Sequence, residues 1–239
     1  MHRAGRKISL YLWVAAAVLF TALVVFALIR VQAWQSQADV RRLLTLVNPW
    51  NPTSETGYSF RSVDIGDGIL ADRACSEALK RMLEDCRASG GQPKVLAGYR
   101  SLDDQLVLYD GAVQDRVDEG LSPEEAENEV AALIAPVGRS EHELGLAFDI
   151  VDEDDPTLNP LQAETQTSRW LSENAWKYGF ILRYPQDAEE ITGYNWHPWH
   201  YRYVGLDAAE NIYSLGITLE EYLSLFYSEE AQVVYESAG

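Results

Sequence analysis

The sequence predicts an α+β domain, with a small, mainly antiparallel sheet flanked by helices and one N-terminal transmembrane helix in front of it. Three observations carry this prediction. Amphipathic stretches with helix caps dominate from residue 72 onward. The apolar runs with strand character are short, late and mostly adjacent, which argues against a long βαβ alternation. Once the N-terminal region is set aside, roughly 190 residues remain, enough for one core-forming domain.

In chain order, residues 1–7 carry Arg3, Arg6 and Lys7, and residues 8–29 hold no charge. At 1.5 Å per residue, residues 8–29 span the hydrocarbon of a bilayer. The basic residues in front of them place the N-terminus in the cytoplasm and the rest of the chain outside. A cleaved signal peptide is the competing reading, but the apolar core is longer than such peptides carry. Residues 30–66 read as a stalk and an irregular arm, with Pro49, Pro52 and Gly57 among mixed residues. The domain is expected over 67–239.

Residues 72–89 form an amphipathic helix stopped by Gly90-Gly91, and residues 94–99 a strand. Ser101 with Asp104 opens the next helix. After the break at Gly120, Ser122-Pro123-Glu124-Glu125 opens another that ends before Pro136. Residues 144–151 read as a buried strand, and 152–166 as an acidic, polar loop. A helix is expected over 167–178 with Gly179 just past its end. Strands are expected at 180–184 and 199–204, with a loop over 185–195 between them. Helices at 207–214 and 218–226 close the domain, the last with a Thr218/Glu221 capping box.

A net charge of -18 argues against a nucleic-acid partner, because nothing would neutralise phosphates. Cys75 and Cys86 are the only cysteines. They share a helix face but stand about 16 Å apart along the axis, too far for a disulfide within one helix. They read as small core residues.

Two short stretches hold three of the four histidines: Ser140 to Asp149, with His142, and His197-Pro198-Trp199-His200. Zinc takes neutral imidazoles and carboxylates as ligands, and a catalytic site keeps one position open. His142 precedes a strand, Asp149 lies on it, and His200 is the best candidate for a third ligand. Glu141 and Glu143 alternate with His142 and, on a strand, would point away from it.

Ser140-x-His142-x-x-Gly145-x-Ala147-x-Asp149 resembles the SxHxxGxAxD signature of the zinc D,D-carboxypeptidases of the VanY type, in the peptidase M15 or LAS group. Gly98-Tyr99-Arg100-Ser101 with Gln105 resembles that family's GYRSxxxQ segment. Tyr178 to Pro185 and Trp199 to Gly205 are similar to its later segments, so the likeness runs in order from roughly Leu44 to Leu223. The resemblance implies a LAS-type zinc peptidase domain with Zn2+ on His142, Asp149 and His200, and Arg100, Gln105 and Ser140 around the substrate. It implies removal of the terminal D-alanine from peptidoglycan stem peptides by a protein anchored in the cell membrane, with the catalytic domain outside the cytoplasm.

At one position the chain departs from the family pattern. The family places a glutamate general base three residues before its last histidine ligand, and here that residue is His197. A glutamate accepting a proton goes from -1 to 0. A histidine goes from 0 to +1 beside a site of net charge about +1. At about 5 Å and an effective dielectric near 20 that repulsion is on the order of 3 kcal/mol, roughly a hundredfold in rate. Three outcomes stay open: His197 is a weaker base, or a fourth metal ligand, or the domain binds wall peptide with little catalysis.

Overall fold

The computed structural model describes residues 39–227, together with Thr21, residues 24–26 and Arg30. No helix among these is long and apolar enough to cross a membrane. The expected cytoplasmic tail and nearly all of the expected transmembrane segment lie outside the described residues. A compact unit begins at Leu43. The arm, expected to precede the domain, is thus part of it from Leu43 onward.

Residues 62–72 form a hairpin, β1 (Ser62–Asp64) on β2 (Leu70–Asp72), where the sequence suggested irregular chain. Its turn needs positive φ at Gly66, Asp67 and Gly68, residue types that tolerate it. Asp72 caps α1 (Arg73–Ala88) by accepting from Ala74 N. That helix buries Cys75, Leu79, Met82, Leu83 and Cys86 on one face, and both cysteines are free thiols in the core, as expected. Burial pushes the Cys75 thiol up to about 12 and that of Cys86 to about 11.

A four-stranded sheet follows from β3 (Pro93–Ala97), β4 (Ala147–Asp152), β5 (Phe180–Leu182) and β6 (His200–Tyr203). Its order is β3-β4-β6-β5 and every pairing is antiparallel. β4 is buried at all six positions, with Phe148 and Ile150 packed in the apolar core among Cys75, Leu79 and Met82 of α1 and Leu171. α2 (Leu102–Asp118) and α3 (Pro123–Ala131) form a helical hairpin beside the sheet, each opened by the capping box read from sequence. α4 (Gln166–Asn174) gives way to a 3-10 turn over Ala175–Tyr178, so the expected single helix is split. A short turn of helix, α5 (Glu189–Thr192), lies in the loop before β6. α6 (Leu206–Leu215) and α7 (Leu219–Tyr227) bury Ala208, Ala209, Ile212, Leu219 and Tyr222 in a second apolar cluster with Leu44 and Ile181.

Candidate active site

The expected strand over 144–151 begins later, at Ala147, and the residues before it form a tight turn. Ser140 Oγ accepts from His142 N at 3.3 Å, capping a 3-10 turn over Glu141–Leu144. Gly145 closes the turn in the left-handed region at φ 67. A Cβ there would stand 2.4 Å from the Phe60 ring and 3.1 Å from Asp72 N. Gly145→Ala is therefore expected to destabilise the fold by roughly 2–4 kcal/mol, combining αL strain and overpacking. Urea denaturation would measure it.

The turn sends His142 inward. Its Nδ1 donates to Gly98 O at 2.8 Å, which leaves the Nε2 lone pair free. Asp149 on β4 and His200 on β6 are direct partners in the antiparallel register, so their side chains stand together. His142 Nε2 lies 3.3 Å from Asp149 Oδ2, and His200 Nδ1 lies 3.0 Å from Asp149 Oδ1. Ligands at about 2.0–2.1 Å around a tetrahedral ion stand about 3.3 Å apart, so this donor set fits zinc in spacing and in chemistry. These three residues, all buried, bring their ligand atoms within 4.8 Å of one another. Among the described residues that group holds these three, and His197 lies outside it.

The electrostatics follow from burial and pairing. Burial alone would raise Asp149, but His142 and His200 outweigh it and hold the carboxyl well below the usual carboxylate range. Burial lowers His142 in spite of Asp149. His200 is raised, because hydrogen bonds to Asp149 and Glu141 outweigh its burial.

Glu141 corrects the sequence reading. It does not point away from the site. It is fully buried beneath it, with Oε1 accepting from Arg183 Nε and Arg202 Nη1, each at 2.8 Å. Burial would raise its carboxyl, but the two guanidiniums hold it far below the usual range. Its Oε2 faces His200 Nε2 at 3.5 Å, and neither atom has another partner among the described residues. An Nε2–H directed at this carboxylate leaves Nδ1 as the free donor atom of His200, the atom that faces Asp149. Glu143 does point away: it accepts from Thr53 Oγ1 at 2.7 Å and Gly138 N at 2.8 Å, tying the arm to the turn.

A cavity of about 430 Å³ opens over the cluster. Arg100, Gln105, Ser140 and His197 all line it, so every residue expected in the site is brought there. Arg100 Nη1 donates to Gln105 Oε1 at 2.7 Å, and Gln105 Nε2 donates to Ala135 O at 2.5 Å. Gln105 thereby holds Arg100 from a buried position on α2. His197 stacks on Trp199, with centroids 4.9 Å apart, and meets the Tyr184 ring edge-on at 5.4 Å. Its Nε2 is buried with no hydrogen-bond partner among the described residues. Burial, then His200, push the imidazole down to about 4, so it is neutral at physiological pH. Tyr184, Tyr194 and Trp199 complete one wall, which sequence reasoning left unassigned.

Residues 68–206 match the family model for VanY, D-alanyl-D-alanine carboxypeptidase. A D-alanyl-D-alanine carboxypeptidase of Enterococcus faecalis is 40% identical over 182 residues, which is 76% of this chain and 65% of that protein. The chain thus spans a little less than two thirds of that relative's length. Two solved structures are similar at TM-score 0.69 and 38% identity, each over 76% of this chain. One is a mutant of the vancomycin-resistance D,D-pentapeptidase VanY from a VanB-type cassette, in complex with Zn(II), and 99% of it is covered. The other is VanYB in complex with D-alanine-D-alanine, 97% covered. The turn that carries His142, the cross-strand pair Asp149 and His200, and the cavity above them all fall within the matched residues, and the chain belongs to the VanY D-alanyl-D-alanine carboxypeptidase family.

Proposed function

We propose that this protein is a zinc-dependent D,D-carboxypeptidase that removes the terminal D-alanine from peptidoglycan stem peptides. We place it at the cell membrane, with residues 8–29 as a single anchor and the domain outside the cytoplasm. The observation that carries the enzymatic reading is the convergence of His142, Asp149 and His200 beneath a cavity that Arg100 also lines. The donor spacing supports zinc on these three residues, and the zinc-bound relative supports the same choice. When bound, zinc supplies Lewis acidity toward a carbonyl and acidifies water.

The chain's own residues supply the rest. Arg100, steadied by Gln105, offers its planar fork to the terminal carboxylate or to the charge that develops on the scissile carbonyl. Ser140 lines the cavity and holds the His142 turn in place. His197 presents an unpartnered Nε2 and would take the proton of the attacking water, then return it to the departing D-alanine amine.

A second reading is favoured by the burial of His197 against Trp199 and Tyr184. A base pushed down to about 4 has little driving force for proton abstraction at neutral pH. On that reading the domain is a catalytically impaired wall-peptide binding module of the same fold. Incubating the full-length protein in detergent with zinc and a pentapeptide ending in D-Ala-D-Ala, followed by mass spectrometry, tests both. Loss of one alanine that a chelator prevents is the expected result. Zinc-dependent binding without release supports the second reading, and neither binding nor release sinks both.

A further inference from the structure

The carboxylate that faces His200 belongs to a larger buried set. Arg183 donates its Nε to Glu141, and its two terminal nitrogens donate to both oxygens of Glu220 on α7, at 2.9 and 2.7 Å. Asn48 of the arm donates its Nδ2 to Glu220 Oε1 at 3.0 Å. Arg202 donates Nη1 to Glu141, Nη2 to the arm carbonyls of Leu43 and Thr45 at 2.9 and 2.8 Å, and Nε to Tyr203 O at 3.1 Å. Arg183 also lies 5.0 Å from the Tyr184 ring, which stacks on the His200 ring at 4.8 Å. Two arginines and two glutamates make a neutral set, with both guanidiniums fully buried.

We propose that Glu220 and Asn48 are positioning residues of the active site, acting through Arg183 and Glu141 on His200, so that closure of the arm and α7 sets how tightly the site holds its metal. This rests on the reading that zinc sits on His142, Asp149 and His200. The physical reason is the division of one guanidinium between two carboxylates. If Glu220 loses its charge, Arg183 is balanced only by Glu141, which Arg202 already uses. The set then carries +1 in a buried position next to a cation site. Glu141 is drawn toward the arginines and away from His200. Partners of metal-bound histidines are worth about 10- to 100-fold in metal affinity.

The test uses the full-length protein. Zinc affinity is measured by competition with a chromophoric chelator, and the cobalt-loaded protein gives the ligand-field spectrum. Glu220→Gln keeps the shape and is expected to weaken zinc binding about tenfold and to shift the cobalt bands, with kcat falling more than KM changes. Asn48→Asp is the second variant. It keeps the Oδ1 atom that accepts from Trp50 N and Asn51 N, and sets a carboxylate against Glu220. It adds an anion where Glu220→Gln removes one, so zinc binding is expected to move in the opposite direction, with the cobalt bands again shifted. A variant that only lowers the melting temperature, with zinc affinity and cobalt spectrum unchanged, makes the network structural and overturns the proposal. So does failure of both variants to fold. If the wild-type protein itself retains no zinc, the metal reading falls and takes this one with it. If wild type and both variants retain zinc equally, this proposal alone falls.

Discussion

His197→Glu is expected to raise D-alanine release by about a hundredfold, with little change in KM. The size comes from burial. The proton carries the same +1 charge onto either side chain, so repulsion from a site of net charge about +1, the penalty expected from sequence, costs a histidine and a glutamate alike. Burial acts on them in opposite senses, because it disfavours the charged form and so weakens an imidazole as a base and strengthens a carboxylate. It brings His197 from its usual 6.5 down to about 4, on the order of 3 kcal/mol or roughly a hundredfold. Local structure favours the exchange. The imidazole lies against Trp199 and Tyr184 with its Nε2 unpartnered, so a glutamate there leaves no protein hydrogen bond broken at that atom. The position is held from the backbone, His197 N donating to Tyr184 O and His200 N to His197 O. Steady-state kinetics on a D-Ala-D-Ala pentapeptide with both proteins decides the matter. A wild type that already turns over fast and gains less than about threefold would establish the histidine as a competent base. A folded, zinc-loaded variant that stays silent would remove position 197 from proton transfer.

Asp149→Asn is expected to abolish zinc retention at stoichiometric metal and to lower D-alanine release about a thousandfold, or some 4 kcal/mol. Asn is nearly isosteric, so β4 keeps its place between β3 and β6. The substitution removes the one anion among the three donors. It also exchanges an acceptor for an NH2 group within reach of His142 Nε2 or His200 Nδ1, now 3.3 and 3.0 Å from the carboxylate oxygens. The metal-free fold should tolerate this better than the metal site does, since a buried carboxylate carries its own desolvation cost. Metal content by mass spectrometry alongside activity would check it. A variant retaining full zinc and full rate would refute the ligand assignment.

Much of the metal cluster was legible because its residues are chemically specific. An imidazole and a carboxylate seven positions apart around an apolar run pointed to a ligand pair, and β4 does bury that run. The helix caps at Ser101, Ser122 and Thr218 were legible because they are local, set by side chains three residues apart. What sequence alone hid is long-range. In sequence Glu141 reads as pointing away because, on a strand, it alternates with His142. The Ser140 cap and the αL glycine at 145 fold residues 141–144 into a 3-10 turn instead, which rotates Glu141 under the site. Its partners Arg183 and Arg202 sit among apolar and aromatic neighbours with nothing local to mark two buried cations. In sequence the arm reads as an irregular stretch leading into the domain, with prolines among mixed residues. It lies within the compact unit because its backbone carbonyls satisfy Arg202, a pairing across about 160 positions that no window of sequence reports.

The two buried arginines also govern how the molecule can come apart. Local opening normally releases the weakest edge of a domain first. Here the arm and α7 supply partners to guanidiniums with no solvent access. Peeling either one away while β5 and β6 stay folded would strand a cation in the interior, a state costing several kcal/mol. Partial unfolding at this edge is thereby penalised, and amide protons of the arm, α7 and the strands that carry Asp149 and His200 are expected to exchange as one unit, which native-state hydrogen exchange would check. Proteolytic entry at the arm would then require opening the strand that carries His200.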